Sequence, residues 1–558
     1  MYRRHAIVLL VLVAISVTVH AGVGSANMID RPRDPVIMQG LQLPGLTGLA
    51  PNSIVAFRYQ SGWAQIPVQI DERFVNDYGN VYGSTPVGFA RLGYADDGTF
   101  MGPDPNSSFD SDDELVFMAR DTGERSVTGT HPSGVVPATR TEILITDPLS
   151  ANVDYVYLYQ TDGSLTPDAG IDYVTYDFVL LSGDYLTTYN TQNGPNPEDS
   201  EIVTAYYRTH FGDRWTRDEL NVFAGAATGV DVLDRHKNLF APGNCQRSDQ
   251  TFSNGEGAFF TNKDGPVRAI RSYMGANSGP LTQRDHFFYE RRHDVCTYLR
   301  VHAIPGVTDF YDYGPNATGL TYYNDLNASG VTIDGNPTET VTLGPIVWEM
   351  VSGAQGTLIY ALSLTTDIPG LAHTSYYLDD SSPSIQQCTG DGFAFGSSGV
   401  RVDEPVANTD PVFSPPPFYN LSVDRVVYME APDQSVSTAE QRHSQATNPL
   451  AASVVVTTAV TTPPQVLGYR LSQNHPNPFE VRTQIEFATP RGQRTSIRVF
   501  DVAGRLVKVL YDRESNGHGG VVSWDGTDLG GKRVASGVYF YRLQSASFGH
   551  TRKMVLID

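Results

Sequence analysis

The sequence predicts an all-β protein with a large β-sandwich body, of one or two domains, followed by a small C-terminal β-sandwich. Three observations support this prediction. Periodicity typical of helices is nearly absent along the 558 residues. Short segments rich in Val, Ile, Tyr and Phe alternate between apolar and polar positions, as half-buried strands do. Gly, Pro, Asn and Asp separate these segments, which is typical of turns between antiparallel strands.

Residues 1–21 have the pattern of a secretory signal peptide. Arg3 and Arg4 precede an apolar run of about 14 residues, and small residues precede a cleavage position after Ala21, with Ala26 as the alternative. The run is too short to cross a bilayer. The remainder contains no stretch of ~20 apolar residues, so we expect no transmembrane segment in the mature chain.

The chain is strongly acidic, with a formal net charge of −22 at pH 7. Nucleic acids require a basic surface, so we expect no nucleic-acid partner. The charge is compatible with divalent cations and with neutral or cationic partners, and it also keeps an exported protein soluble without any partner. Three cysteines allow at most one disulfide, which we predict between Cys245 and Cys296.

The body is long enough for one very large or two ordinary domains. We predict an N-terminal β domain over residues 27–165 and a large β-sandwich domain over 166–440, with a boundary in the Gly/Pro/Asp stretch 161–169. Strands of the body are predicted at Val55–Tyr59, Ala64–Ile70, Glu114–Met118, Thr141–Thr146, Val153–Tyr159 and Tyr173–Leu180.

An acidic loop ahead of the strand Glu114–Met118 is a candidate calcium site. Oxygen-bearing side chains recur at every second position, as calcium ligation on a tight loop requires. The proposed ligands are Asp104, Asn106, Asp110 and Asp112. The spacing departs from that of an EF-hand, because the sixth-position glycine and the twelfth-position glutamate are missing. The alternative is an acidic surface turn without metal.

A predicted hairpin supplies the main candidate for chemistry. Segments Arg284–Glu290 and Asp294–Ile304 alternate, and Arg291–His293 is a plausible three-residue loop between them. If Glu290 pairs with Asp294, one sheet face displays five polar side chains together. This predicted catalytic face consists of Arg284, His286, Tyr298, Arg300 and His302.

Such a face has the groups needed for acid–base chemistry on a polysaccharide. Arginine neutralises a uronate carboxylate, while histidine and tyrosine remove and return protons. The same face would suit sugar binding without chemistry. The simplest alternative is an antiparallel sheet with one solvent-exposed face, whose polar side chains have no further role.

A second candidate is Trp215, which with Arg214 and Arg217 would form a carbohydrate platform or, alternatively, a buried aromatic with surface charges. The sequence contains no Gly-rich phosphate loop, no zinc-type Cys/His spacing and no G-x-S-x-G motif. Nucleotide-dependent enzymes and serine hydrolases of that type are therefore disfavoured.

Residues 441–468 have few large side chains and include two consecutive prolines, so we predict an extended linker. Residues 469–558 follow as short strands separated by turn formers, which predicts a sandwich of the immunoglobulin-like kind. Apolar pairs at period two indicate its buried faces. These pairs are Ile485/Phe487, Ile497/Val499 and Val538/Phe540.

Four motifs of this tail resemble a known family. They are Gln473-Asn-x-Pro-Asn-Pro-Phe479, Val499-Phe-Asp-Val-Ala-Gly-Arg505, Trp524-Asp-Gly526 and Ala535-Ser-Gly-Val-Tyr-Phe-Tyr541. The tail is similar to the C-terminal sorting domain of bacterial type IX secretion cargo, and equally to the immunoglobulin-like domain of flagellar hook-capping proteins. The first resemblance implies recognition by outer-membrane secretion machinery, and an extracellular or surface-attached protein whose tail is cleaved or retained.

The body loosely resembles secreted β-sandwich carbohydrate-active proteins, with no catalytic motif that can be transferred. Two classes of function therefore remain open. The body is either a carbohydrate-active enzyme, a lyase or hydrolase that uses the predicted catalytic face, or a non-catalytic surface protein that binds glycan or builds an extracellular layer.

Overall fold

The computed structural model describes residues 28–78, 81, 90–127, 129–182, 197–240, 257–276, 279–299, 305–366, 368, 370–382, 393–405, 421–455, 470–471, 474, 477–479, 481–488, 494–502, 504–514, 520–545 and 548–557. The predicted signal peptide lies outside these residues. The chain folds as two compact units, Met1–Val455 and Val456–Asp558. The described residues form mainly antiparallel sheets, which confirms the predicted all-β class.

Small sheets form the N-terminal part of the first unit. One contains, in spatial order, β1 (Pro35–Gln39), β7 (Glu114–Met118) and β4 (Gln69–Asp71). A second contains β27 (Ala451–Val454), β8 (Thr141–Thr146), β9 (Val153–Gln160), β2 (Ile54–Tyr59) and β3 (Trp63–Ile66). A separate pair contains β5 (Arg73–Asp77) and β6 (Ala90–Tyr94). One apolar cluster, which includes Val36, Leu115, Ile143 and Leu158, joins the first two sheets.

Most of the strands predicted for the body match the structure closely. Strands β7 and β8 have the predicted bounds. The predicted strand Ala64–Ile70 is divided into β3 and β4, because Pro67 lacks the N–H that a continuous ladder needs. The predicted strand Tyr173–Leu180 is reduced to three residues.

A nine-stranded sheet dominates the remainder of the unit. Its spatial order is β15 (Ala258–Lys263), β16 (Ala269–Ala276), β17 (Gly279–Phe288), β18 (Arg292–Leu299), β26 (Leu421–Glu430), β23 (Gly356–Thr366), β22 (Trp348–Gly353), β20 (Thr321–Asn324) and β21 (Asn327–Thr332). One four-stranded sheet contains β14 (Leu233–Phe240), β19 (Val307–Tyr313), β25 (Ala394–Val402) and β24 (Thr374–Asp380). Another contains β10 (Thr175–Asp177), β11 (Pro197–Val203), β12 (Tyr207–Asp213) and β13 (Thr216–Val222).

These three sheets share one apolar core. The core contains Tyr207 and Leu220 from the second four-stranded sheet, Tyr311 from the first, and Phe288 and Val427 from the nine-stranded sheet. The face of the nine-stranded sheet that is turned toward this core is called the inner face below, and the opposite face is called the outer face.

The predicted linker 441–468 is wrong over its first part. Helix α1 (Val436–Thr447) packs Ala439 against the nine-stranded sheet, and Arg442 Nε donates a 2.6 Å hydrogen bond to Glu430. Strand β27 then pairs with β8. Tertiary contacts therefore order a polar segment that carries few large side chains. Residues 456–468 lie outside the described residues.

Within the described part of the chain, no helix is long and apolar enough to cross a membrane. Short 3₁₀ turns lie at Gly40–Gln42, Pro51–Ser53, Ala119–Asp121, Pro137–Thr139 and Pro315–Ala317.

Buried ion pairs join the N-terminal sheets to the nine-stranded sheet, because Arg268 bonds Asp71 at 2.7 Å and Glu114 at 2.6 Å. The predicted domain boundary near residues 161–169 stays a prediction.

The second unit is the expected small sandwich. One sheet contains β28 (Arg470–Leu471), β29 (Thr483–Ala488) and β32 (Gly520–Trp524). The other contains β31 (Leu506–Glu514), β30 (Arg494–Phe500), β33 (Gly537–Ser545) and β34 (Phe548–Leu556). Trp524 is fully buried in the core, and its Nε1–H donates to the Thr527 carbonyl at 2.9 Å.

The prediction of which side chains face the core of this sandwich is confirmed on β29 and β30 and is wrong on β33. Ile485 and Ile497 are fully buried, whereas Val538 is 36% exposed. Tyr541 and Leu543 are fully buried instead. Both faces of β33 carry apolar residues, so alternation alone could not select the inward set.

Candidate functional site

The predicted catalytic face rests on a strand register that the structure contradicts. Strand β17 pairs with β18 so that His286 lies opposite Val295 and Arg284 lies opposite Thr297. The turn is shorter than predicted, with Tyr289 N–H donating to the Arg292 carbonyl at 2.7 Å. The register differs from the predicted one by an odd number of residues. Such a shift moves every side chain of one strand to the other face.

The structure therefore separates the predicted site residues. Arg284 and His286 lie on the inner face and are fully buried. Tyr298 pairs with Gln283, whose side chain alternates with that of Arg284, so Tyr298 lies on the outer face. Arg300 and His302 lie outside the described residues.

The outer face near Tyr298 contains a free thiol rather than a disulfide. Cys296 is half-buried and free, which contradicts the predicted Cys245–Cys296 bridge, and Cys245 lies outside the described residues. Burial raises the pKa of Cys296, and the neighbouring Asp424 raises it further. A thiol with a raised pKa is a poor nucleophile at neutral pH, which gives this position no sign of catalytic activation.

The inner face instead gathers a cluster that we call the inner polar centre. It consists of Arg217, His236, Arg284, His286, His293, Asp309, Tyr311, Glu349 and Arg425. Every one of these side chains belongs to a residue that is at most 1% exposed. Burying an unpaired charge strongly destabilises the folded state, so the partners of each charged group indicate the role of the cluster.

Asp309 on β19 is the ionised carboxylate of the inner polar centre. Arg425 bonds both its side chain and its backbone oxygen, the latter at 2.8 Å. Arg284 Nη2 donates to it at 3.3 Å, and His236 Nε2 lies 3.3 Å from the same carboxylate. Burial alone would raise the pKa of Asp309, but the charge of Arg425, together with that of Arg284, holds it well below its usual range.

Two histidines form a directional hydrogen-bond chain beside this carboxylate. Arg217 Nη1 donates to His293 Nδ1 at 3.4 Å. Since arginine can only donate, His293 carries its proton on Nε2 and donates it to His286 Nδ1 at 2.9 Å. His286 Nε2 then donates to Tyr273 Oη at 3.0 Å. Burial and the neighbouring cations lower the pKa of both histidines well below the usual value, so both rings are neutral.

His236 is neutral at pH 7, and Glu349 is only partly ionised. Burial and the charge of Arg284 lower the pKa of His236 to about 3, and its ring stacks on Tyr311 at 4.3 Å. Burial raises the pKa of Glu349 to about 7, even though Arg425 opposes the shift. A carboxyl group with this pKa can both give and take a proton at neutral pH.

Several polar atoms of the inner polar centre have no partner among the described residues. They are Arg217 Nη2, His236 Nδ1, Arg284 Nη1, Glu349 Oε1 and Arg425 Nε. Buried polar groups in proteins are hydrogen-bonded with few exceptions. Five orphan atoms in one cluster therefore suggest a ligand or ordered water between them.

Apolar side chains enclose the centre on two sides. Along β19, Asp309 lies between Val307, which belongs to an apolar cluster with Leu299 and Leu421, and Tyr311, which belongs to the main core.

The proposed platform at Trp215 is not a surface. Trp215 and Arg214 are fully buried, and Trp215 Nε1 donates to the Gly275 carbonyl at 2.7 Å. Of the two alternatives, the buried aromatic is confirmed, but its neighbouring charges are buried as well. Arg217 belongs to the inner polar centre rather than to a sugar-binding surface.

The acidic loop proposed for calcium is held by bonds within itself. Asn106 N–H donates to Asp104 at 2.7 Å, Asn106 Nδ2 donates to Asp110 at 2.6 Å, and Asp112 N–H donates to Asp110 at 3.2 Å. Burial, and then the hydrogen bond and charge of Asp110, raise the pKa of Asp112 to about 6. The two carboxyl groups are therefore close enough to compete for one proton.

The described residues contain a different acidic group with ligand-like spacing. Oxygens of Asp334, Glu339 and Asp379 all lie within 4.8 Å of one another. Asp379 already accepts the backbone N–H groups of Asp334 and Gly335, at 2.9 and 3.0 Å, which orders the loop without a metal. This group could hold a cation, but nothing in its geometry selects calcium.

Sequence reasoning missed six members of the inner polar centre, among them Tyr311. The others are His236, His293, Asp309, Glu349 and Arg425. A signal for one of them is present in Val423-Asp-Arg-Val-Val427, where a charge occupies one position of an apolar alternation. Such a charge predicts a buried partner, but not which one.

Solved structures give only distant likenesses. An α-mannosidase from Enterococcus faecalis V583 is 9% identical, with a TM-score of 0.36 over 90% of this chain and 54% of that chain. A glycosyl hydrolase family 38 protein from Enterococcus faecalis is 9% identical, with a TM-score of 0.37 over 88% of this chain and 56% of that chain. A putative aldose 1-epimerase from Escherichia coli K12 is 12% identical, with a TM-score of 0.22 over 46% of this chain and 99% of that chain.

All three TM-scores are below 0.5, so these likenesses carry no argument about the body. The chain also spans little more than half the length of the first two structures. No curated protein matches the chain in sequence.

The C-terminal unit, in contrast, matches a family model. Residues 474–557 match the secretion system C-terminal sorting domain. The match covers β29 to β34 and contains the sandwich core around Trp524. The last part of the chain is therefore a type IX C-terminal sorting domain, and the protein is exported to the outside or outer surface of a bacterial cell.

Proposed function

We propose that the body of this exported protein is a carbohydrate-active enzyme, a lyase or hydrolase, that works through the inner polar centre. The observation that carries the proposal is the combination of groups found there. Neutral histidines and a glutamate with a pKa of about 7 lie among three guanidinium groups. Perturbed acid–base groups concentrated in one place are typical of functional sites.

The roles follow from the contacts. Asp309 fixes Arg284 and Arg425, so these guanidiniums are positioned before any substrate arrives. Glu349 supplies or removes a proton near neutral pH. The chain from His293 to His286 orients the histidine proton toward Tyr273. Since the whole centre is buried, it suits a terminal sugar unit better than the middle of a polymer.

Activity measurements on purified protein test this proposal. A panel of polysaccharides is screened by reducing ends and by absorbance of unsaturated products, which distinguishes hydrolase from lyase chemistry. We expect Glu349→Gln and His286→Gln to lower kcat at least about 100-fold, the usual effect of losing a general acid or base. His210→Gln is the matched control, because the partly exposed ring of His210 on β12 bonds Asp218 and Asp199, at 2.7 and 3.0 Å, and neither belongs to the inner polar centre. Equal activity of all variants would contradict the proposal.

One observation favours the second candidate, a surface protein that binds glycan or builds a layer without catalysis. Every member of the inner polar centre is buried, as in a structural polar network. Glycan binding on an array without turnover of any bound glycan would support this function and reject the enzyme.

We also propose calcium as a stabilising ion at the acidic loop. Asp104, Asn106, Asp110 and Asp112 supply hard oxygens, and the neighbouring carboxylates of Asp110 and Asp112 place negative charge that a divalent ion would offset. Calorimetric titration with calcium tests this, with Asp110→Asn as the variant. Absence of binding heat, together with an unchanged Tm, would reject the site.

A further inference from the structure

We infer that the inner polar centre binds an oxyanion group, a carboxylate or a sulfate, between Arg217, Arg284 and Arg425. The inference deepens the proposed function, because it makes the substrate an acidic sugar. It rests on the proposed function only for the identity of that substrate. The binding itself does not require catalysis.

The first argument is the balance of charge. Three buried guanidiniums face one ionised carboxylate, Asp309, and Glu349 is only partly ionised at pH 7. The three histidines are neutral and add no negative charge. Buried charges that lack a counter-ion are strongly destabilising. The centre thus lacks negative charge, and an anion would supply it.

The second argument is the geometry of the three guanidiniums. Arg217 and Arg425 lie over the same Tyr311 ring, with Cζ atoms 5.8 and 5.6 Å from its centroid. Arg284 and Arg425 both bond Asp309, which alternates with Tyr311 on β19. The three cations therefore surround one small region of the core.

The third argument is that each guanidinium keeps one N–H without a partner among the described residues. The atoms are Arg217 Nη2, Arg284 Nη1 and Arg425 Nε, and their residues are at most 1% exposed. Guanidinium N–H groups bond carboxylate and sulfate or phosphate oxygens in preference to other acceptors, because the planar fork matches their spacing. Three such donors fit an oxyanion with two or more oxygens.

Arg217→Gln is the most informative variant. The carboxylate of Asp309 is held by Arg284 and Arg425, and it keeps both when Arg217 is replaced. The substitution removes hydrogen bonds from Arg217 to Thr209 Oγ1 and Tyr311 Oη, at 2.7 and 3.2 Å, and to His293. Hydroxyl groups can rotate to other partners, so this variant is expected to fold. Arg125→Gln is the matched control, since Arg125 is half-exposed and pairs with Glu142 in another sheet.

The experiment measures Tm and calorimetric binding of the full mature chain with sodium sulfate, phosphate, glucuronate and glucose, against sodium chloride at equal ionic strength. We expect a saturable, one-to-one effect of at least one oxyanion, with Tm raised by roughly 2–5 °C. Arg217→Gln should weaken binding about tenfold or more, whereas Arg125→Gln should match the unmodified protein. Glucose should have no effect.

The outcomes distinguish the sources of the anion. Stronger binding of glucuronate than of sulfate identifies a sugar carboxylate, and the reverse order identifies a sulfate group; either supports the inference. No saturable binding of any oxyanion to the unmodified protein overturns it, as does equal binding by Arg217→Gln. A general salt effect on stability would not saturate and would appear equally in all variants. That result would also overturn the inference. Turnover of neutral glycans with no oxyanion binding would overturn this inference and leave the proposed enzyme standing.

Discussion

The substitution Glu349→Gln tests whether the inner polar centre has the electrostatics described above. Glu349 is fully buried, its Oε2 accepts the Tyr322 hydroxyl at 3.3 Å, and burial raises its pKa from 4.5 to about 7. A carboxyl group whose folded-state pKa is raised binds a proton more tightly in the folded protein than in the unfolded chain. Its contribution to stability is therefore complete below about pH 4.5 and is lost as the pH rises to about 7.

The size of the effect follows from this difference in pKa. Each pKa unit corresponds to about 1.4 kcal/mol, so the free energy of unfolding should fall by roughly 2–3 kcal/mol between pH 5 and pH 8 because of Glu349 alone. Glutamine has nearly the same shape and no charge. The variant lacks this dependence, and its free energy of unfolding should rise by roughly 2–3 kcal/mol relative to that of the unmodified protein over the same interval.

Urea denaturation at pH 5, 6, 7 and 8, followed by circular dichroism, measures the effect. The quantity of interest is the difference between variant and unmodified protein at each pH, because other titrating groups cancel in that difference. A difference that stays constant from pH 5 to pH 8 would refute the burial and the proton affinity assigned to Glu349.

The remaining predictions concern export, the outer face, the tail core and the acidic loop. Removal of residues 456–558 should leave the body inside the outer membrane, as cell fractionation would reveal; unchanged surface display would contradict the role of the sorting domain. Tyr298→Phe should leave any glycan turnover within about twofold, because Tyr298 lies on the outer face, and a large loss of kcat would restore the predicted catalytic face. Trp524→Ala should destabilise the tail by about 3–5 kcal/mol, measured by calorimetry on the isolated tail, since a fully buried indole leaves a large cavity. Asp112→Asn should flatten the loss of stability that the raised pKa predicts between about pH 4 and pH 6 in calcium-free buffer, and an unchanged pH profile of Tm would contradict this shift.

Strand positions could be read from the sequence because they depend on local pattern. Glu114–Met118 and Thr141–Thr146 are short apolar or alternating runs with polar residues at their ends, and they became β7 and β8 unchanged. The sorting domain was recognisable for a related reason, since its turns carry fixed residue types at fixed positions.

The pairing of β17 with β18 could not be predicted in the same way. Residues Glu290 to His293 are all polar and allow several turns, and both strands carry polar and apolar residues on both faces. The local pattern therefore gave no preference between registers that differ by an odd number of residues. The choice depends on distant partners, because Asp309 and Arg217 are available only to side chains on the inner face.

Burial alone does not decide whether the inner polar centre is a structural network or a ligand-binding site. Removing one partner of a buried ion pair is destabilising, whereas removing a buried charge that has no counter-ion can raise stability. Arg217 and Glu349 form hydrogen bonds but no salt bridge among the described residues, so in a purely structural network their replacement by glutamine should raise stability. A ligand-binding centre predicts the same gain in stability for Arg217→Gln or Glu349→Gln, but couples it to loss of binding or turnover, as expected where function requires unpaired buried charge. Measuring stability and oxyanion binding on the same variants therefore separates the two explanations. Gain without functional loss identifies a structural network, and gain with functional loss identifies a site.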